Sequence, residues 1–357
     1  MNIADKERTG DQGTDTGIKD TKVGQKIVRS LLSLVPWVIV GGLLWAGIFV
    51  KPNVTIEEVT PPAIERRDRI YGVSAVTPRI LWIVGNYGKI LRSEDRGASW
   101  SLQKTPNQNH LQDISSWDES RAIAVGNGGV VLITEDGGNT WTEIEAPKSE
   151  IANKLLRVHT FEGGEVWAVG EVGMIIYSDD YGNTWTRMRE EEDVIMNDIV
   201  KISDTKLMVA GEYGRIFWSE DKGKTWQDTE TDSLGSMMAI KFRTEESGVM
   251  VGLDGITMGT EDAGKTWTII DSAKSGNSEH LMDVLWFDEL NKWVAIGNKG
   301  TLVKFSSDLK EFEAGVVSER SLSSHTELAA VDGGIIVVGA GVSFLEFTDG
   351  DLSVLGK

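Results

Sequence analysis

Two hydrophobic patterns divide the chain. The first is an unbroken run: no residue between Arg29 and Lys51 is charged, and the apolar stretch proper extends from Leu31 to Val50. At helical rise it spans ~30 Å, the thickness of a bilayer's hydrocarbon core. A buried core helix would show a polar face, and this run has none, so it predicts a membrane-spanning helix. Trp37, Trp45, Pro36 and the Gly41-Gly42 pair are all tolerated in such a helix.

The second pattern starts near residue 71 and consists of short apolar runs broken by Gly and Asp, which predict strands and turns. Laid under one another, the runs form a unit of four strands. An apolar stretch such as Leu111 to Trp117 comes first, and then a strand ending in Gly, as in Leu81-Trp82-Ile83-Val84-Gly85. After two further residues another Gly opens a third strand, as in Gly88 to Ser93, and a turn motif leads into a fourth. The marker Gly recurs at 85, 126, 170, 211, 252, 297 and 339. Seven units of about 40 residues predict an all-β fold, a closed seven-bladed β-propeller.

The turn motif reads [S/T]-x-D-x-G-x-[T/S]-W. Its full copies carry Asp95 and Trp100, Asp136 and Trp141, Asp180 and Trp185, Asp221 and Trp226, and Asp262 and Trp267. The carboxylate accepts N–H groups of its own turn, Gly supplies a left-handed conformation, and Trp buries a large face against neighbouring sheet. That turn chemistry accounts for every residue of the motif, so these residues are expected to be structural. The copies wear out at the C-terminal end, to Ser306-Ser307-Asp308-Leu309-Lys310 with Phe312 near the Trp position, and then to Asp349-Gly350-Asp351. Two segments compete to complete the last blade: Thr55 to Val59, which stands in the register of a fourth strand, and Leu352 to Leu355.

Lys19, Lys22, Lys26 and Arg29 precede the apolar run, and Glu57-Glu58 lies beyond it. The positive-inside rule then places the N-terminus in the cytoplasm. The expected organisation is a flexible cytoplasmic tail over 1–30, a transmembrane signal anchor over 31–50, a tether over 51–70 and the propeller over 71–357. In a bacterium this is a single-pass inner-membrane protein with a periplasmic propeller. A net charge of -19 argues against nucleic acid as a partner. The absence of cysteine excludes disulfides, thiol catalysis and a lipid-modified N-terminal cysteine, and the four histidines form no metal-binding pair. No cofactor or metal is expected.

The repeats are identified as Asp-box, or bacterial neuraminidase-type, repeats. Ala124-Val125-Gly126 to Trp141 and Ala168-Val169-Gly170 to Trp185 are the best copies. Over roughly residues 70–350 the chain is similar to the seven-bladed photosystem II assembly and stability factors and their relatives in non-photosynthetic bacteria. The resemblance implies a non-enzymatic protein that holds membrane subunits during assembly. It also implies, through the Gram-negative relatives, a partner such as a resistance-nodulation-division exporter. The chain differs from the photosynthetic members in lacking a lipid-modifiable cysteine and in having a signal anchor.

A sialidase-like or other carbohydrate-binding propeller is the alternative. Sialidase chemistry needs an arginine triad, a Tyr–Glu pair and an acid; Arg69-Ile70-Tyr71 and Pro78-Arg79-Ile80 do not match its first arginine motif. The expected site is instead a binding rim formed by the second-to-third strand loops and the blade-to-blade connections, opposite the Asp boxes. Its candidates are Tyr87, Asn127, Glu171, Glu212, Tyr213, Asp254 and Asn298. Asp113, Arg157, Asp198 and Asp283, near the starts of inner strands, are expected to face the channel mouth as a ring of acids interrupted by Arg157. The alternative for that ring is carboxylates bonded to neighbouring backbone and solvated. The acidic run Glu190-Glu191-Glu192-Asp193 reads as a solvated face of a longer connection.

Overall fold

A computed structural model describes residues 19–50, 62–231, 235–270 and 272–354. The chain divides into two units, Met1–Thr60 and Pro61–Lys357. The first contains one helix, Lys19–Phe49, with Pro36 inside it. Its apolar side chains, Leu32, Trp37 and Leu43 among them, are exposed. Gly24–Phe49 is long and apolar enough to cross a membrane, at mean hydropathy 2.1. The helix begins well before Leu31, so the last part of the expected tail is helical. Residues 19–30 include good helix formers and no proline, so the helix continues through them.

The second unit is a ring of seven antiparallel sheets, each built from four consecutive strands. The inner strands are Ile70–Ala75, Leu111–Ser116, Leu155–Thr160, Met196–Lys201, Met237–Phe242, Leu281–Phe287 and His325–Val331, defining blades 1 to 7. The seven marker glycines each end the second strand of a blade. At all but Gly211 the reason is close approach to a backbone carbonyl: a Cβ at Gly126 would lie 2.2 Å from the His110 carbonyl oxygen. Gly126 itself is extended, with φ -172°, so conformational freedom is not what the position needs.

The core lies between blades. Each full motif contributes its Trp to the joint with the preceding blade; Trp141 meets Trp82 edge-on at 5.6 Å, and Trp226 meets Trp167 at 6.4 Å. Burying an aromatic of that size removes ~150–250 Å² from water, on the order of 4–6 kcal/mol. In blade 6, Phe312 stacks on Phe305 at 5.5 Å. Leu309 enters the joint with blade 5, where a Cβ on Gly259 would lie 2.1 Å from its Cδ1.

In blade 7 the fourth place is taken by Asp351–Val354, paired with Val342–Thr348. That is the C-terminal candidate for closure, beginning one residue earlier than expected; Thr55 to Val59 and Leu355 lie outside the described residues. Blades 7 and 1 therefore meet without exchanging a described strand. Val331, Ile336 and Val338 pack against Ile70, Val73, Leu81, Ile83 and Leu91.

Candidate functional site

Backbone bonds assign each loop to one of two rims. On one rim, the turn after each marker glycine bonds to the connection entering the same blade, as in Asn127 N to His110 O at 2.9 Å and Glu212 N to Ile195 O at 3.1 Å. On the other, each full turn motif bonds to its blade's first hairpin, as in Gly137 N to Ser120 O and Lys222 N to Thr205 O, both 2.9 Å. The turn rim and the Asp-box rim are thus opposite, as the strand order requires.

The Asp boxes repeat one bonding scheme. Asp221 Oδ1 accepts from Ser219 Oγ and Thr225 N, both 2.8 Å, and Oδ2 accepts from Thr225 Oγ1 at 2.7 Å. Ser219 Oγ in turn accepts from Gly223 N at 2.8 Å. Asp95, Asp136, Asp180 and Asp262 do the same with their own neighbours. Bonds from Thr225 N and Oγ1 hold the Asp221 carboxyl down at about 2. Both carboxylate oxygens are thus engaged within their own turn.

On the turn rim the candidates separate by position. The first residue of a turn is a strut: Lys154 N donates to Glu171 Oε2 at 3.0 Å and Ile195 N to Glu212 Oε2 at 2.8 Å. Asn127 Oδ1 accepts from Gln112 Nε2 at 3.0 Å. Asn298 holds its turn through Asn298 N to His280 O at 3.0 Å. The second residue is left-handed: φ is 57° at Tyr87, 55° at Tyr213, 56° at Asp254 and 52° at Lys299. The side chain there is not always exposed: Val172, with φ 57°, is buried, whereas the two tyrosines project outward. Tyr87 is 69% and Tyr213 66% exposed. Tyr87 also meets His110 edge-on at 5.3 Å, and His110 stacks on Tyr71 at 6.2 Å, so aromatic surface extends from the turn onto the inner strand.

Asp113, Arg157, Asp198 and Asp283 do not lie at an open mouth. They are 1%, 9%, 0% and 3% exposed, and Glu327 at 9% completes the group. Each inner strand is the free edge of its sheet, and an N–H turned to the channel there needs an acceptor. Seven such groups, on Val73, Ile114, Val158, Ile199, Ile240, Val284 and Leu328, are all taken by four carboxylates. Asp113 accepts from Ile114 N (2.7 Å) and Val158 N (2.8 Å). Asp198 accepts from Ile199 N (2.9 Å) and Ile240 N (3.0 Å), and Asp283 from Val284 N (2.9 Å) and Leu328 N (3.1 Å). Each aspartate serves its own strand and the next blade, so one is needed in every second blade. Seven is odd, and the remaining Val73 N–H is taken by Glu327 Oε2 at 2.8 Å, where blade 7 meets blade 1. The expected bonding to backbone is therefore present, but the carboxylates are buried rather than solvated.

The positions between the acids hold Gly72, Arg157 and Ala239. A Cβ on Gly72 would stand 2.7 Å from Asp113 Cα. Arg157 extends from blade 3 across the channel, with Nη1 3.3 Å from Glu327 Oε2 and Nη2 near the carbonyls of Met282 and Thr326 at 3.5 and 3.4 Å. Burial opposes its charge, but Glu327, Asp283, Asp113 and Asp198 outweigh that and raise its pKa. Burial would push Asp198 up as well. Lys241 Nζ at 3.1 Å and His159 Nε2 at 2.7 Å overcome it, and the carboxyl lies below its usual range. Glu327 and Asp283 go the other way: burial raises both, and neighbouring acids add to it.

Comparison with known proteins agrees with this architecture. Residues 98–241 match the profile of the family described as photosynthesis system II assembly factor YCF48. Among solved structures, "YCF48 bound to D1 peptide" is similar at TM-score 0.65 and 16% identity, over 79% of this chain and 94% of that one. YCF48 from Cyanidioschyzon merolae is similar at TM-score 0.62 and 15% identity, over 77% and 94%. The WD40 propeller domain of Doa1 gives TM-score 0.63 at 11% identity, over 78% and 91%. No curated protein matches by sequence. The chain thus carries an Asp-box propeller resembling the photosystem II assembly factors. At these identities the structural likeness is one of fold, and a WD40 domain fits as closely, so function has to be argued from the site.

Proposed function

We propose that this chain is a non-enzymatic scaffold or assembly factor of the bacterial envelope. The helix Lys19–Phe49 anchors it in the inner membrane, N-terminus in the cytoplasm, and the propeller lies in the periplasm. The turn rim binds an envelope protein or a membrane complex under assembly, and an exporter of the resistance-nodulation-division type is one partner that the resemblance implies. One observation carries the reading: Asn86 and Glu212 brace their turns by accepting from Arg69 N and Ile195 N, while Tyr87 and Tyr213, the next residues on those turns, project into solvent. An exposed aromatic on a rigid turn offers large contact area at small entropic loss on binding.

Affinity purification of the full chain in mild detergent, at native expression, tests the proposal. An envelope protein recovered in fixed ratio to the propeller is the expected result. Recovery of the propeller alone contradicts it.

A further inference from the structure

Ile151 is 79% exposed, although its loop is tightly built. Ser149 N donates to Asn153 Oδ1 and Asn153 Nδ2 to Ser149 O, both at 2.6 Å, and Ile151 N donates to Ser149 Oγ at 3.0 Å. The loop is a closed ring of bonds that holds an isoleucine outward. It lies in the connection between blades 2 and 3, on the turn rim. Ser149 Oγ bonds to Glu191 Oε2 at 3.2 Å, in the connection between blades 3 and 4. From there Glu192 reaches Arg215 at 2.5 Å, two residues from Tyr213. Ile151 and Tyr213 therefore stand on either side of the acidic connection.

That connection is not evenly neutralised. Glu191 and Glu192 meet Arg187 and Arg215, whereas Glu190 and Asp193 are exposed, as is Glu150 beside Ile151. The same rim at blade 1 has the opposite character: Arg66, Arg67, Arg69 and Lys104 are exposed in the segments flanking that blade, which carries Tyr87. At blades 3 and 4 exposed acids thus stand between two exposed apolar side chains, Ile151 and Tyr213.

We propose that the partner docks on this sector through a protein segment in which apolar side chains alternate with Lys or Arg. Ile151 and Tyr213 each receive an apolar residue, and Glu150, Glu190 and Asp193 pair with the cations beside them. The apolar contacts supply affinity, and the charges supply encounter rate and orientation. The inference rests on the turn rim being the binding face, and it narrows that face to one sector and one partner chemistry.

Photo-crosslinking of the full chain in cells that naturally carry it tests both separately. Benzoylphenylalanine replaces Ile151, Tyr213, Tyr87 and Lys299 in turn, and the adducts are sequenced. The expected result is that positions 151 and 213 capture one protein through a segment with an apolar residue next to Lys or Arg. Combining Glu190→Lys with Asp193→Lys then cuts that yield about tenfold, from like-charge repulsion, with unchanged melting. Adducts from 87 or 299 alone, an acidic segment, or a yield indifferent to the charge reversal overturns the sector and leaves the rim reading intact. No adduct from any of the four positions overturns both.

Discussion

Asp113→Ala lowers the stability of the full chain by roughly 2–6 kcal/mol, because it leaves two buried N–H groups without acceptors at about 1–3 kcal/mol each. The orphans are on Ile114 and Val158, one in its own blade and one in the next. In thermal melts that is a fall on the order of 10 °C. Asp113→Asn loses about half as much, since the amide keeps one acceptor oxygen and turns its NH₂ on the other donor. Hydrogen exchange locates the effect: amide protection falls at both Ile114 and Val158 in the alanine variant. A loss under ~1 kcal/mol, or exchange enhanced at one amide only, would sink the account of one carboxylate serving two blades.

Arg157 is the second large effect. Arg157→Leu removes a cation from among Asp113, Asp198, Asp283 and Glu327, and breaking a buried pair of this kind costs ~3–5 kcal/mol. Its dependence on pH has a definite sign. Burial, reinforced by Asp113 and Asp283, holds the Glu327 carboxyl well above the carboxylate range even with Arg157 beside it. A group raised in the folded state contributes stability that is complete below its unfolded value of about 4.3 and is lost as pH rises through the folded value. Without Arg157 the folded value rises further. The variant is therefore closest to the parent near pH 5 and falls behind it toward pH 8. Glu327→Gln keeps an oxygen for Val73 N and carries no charge, so adding it to Arg157→Leu recovers much of the loss at pH 8. Denaturant titrations of the parent, the two single variants and the double variant at both pH values form the cycle. An Arg157→Leu penalty equal at the two pH values and untouched by Glu327→Gln would refute the charge argument.

These effects show where sequence reading reaches and where it stops. The propeller was legible because the marker glycines and Asp boxes are local devices, each readable within a few residues. The channel acids were visible too, as Asp113, Asp198 and Asp283 at one register with Arg157 and Ala239 between them. Their alternation has no local cause. It follows from a free sheet edge meeting the next sheet's free edge, and from an odd number of blades, so neither their burial nor the part of Glu327 could be read from spacing.

The turn rim divides in the same way. Glu212 and Tyr213 are adjacent, and their opposite fates, one bracing the turn and one projecting, are set by φ and by the neighbouring connection. Ile151 was missed because it lies in an irregular connection, outside the register that made the repeats readable. The helix start at Lys19 was missed because charge marked the edge of the apolar run, and backbone hydrogen bonding continues past it.

The claim that the turn rim rather than the Asp-box rim binds the partner is tested most directly by comparing two variants in the same affinity purification. Tyr87→Ala combined with Tyr213→Ala removes the projecting rings, and Glu119→Lys combined with Glu162→Lys reverses exposed charges on the Asp-box rim. All four side chains are open to solvent, so both variants should melt with the parent. The account predicts that the first loses the co-purifying envelope protein about tenfold or more while the second retains it. Loss from the second variant with retention by the first would contradict it.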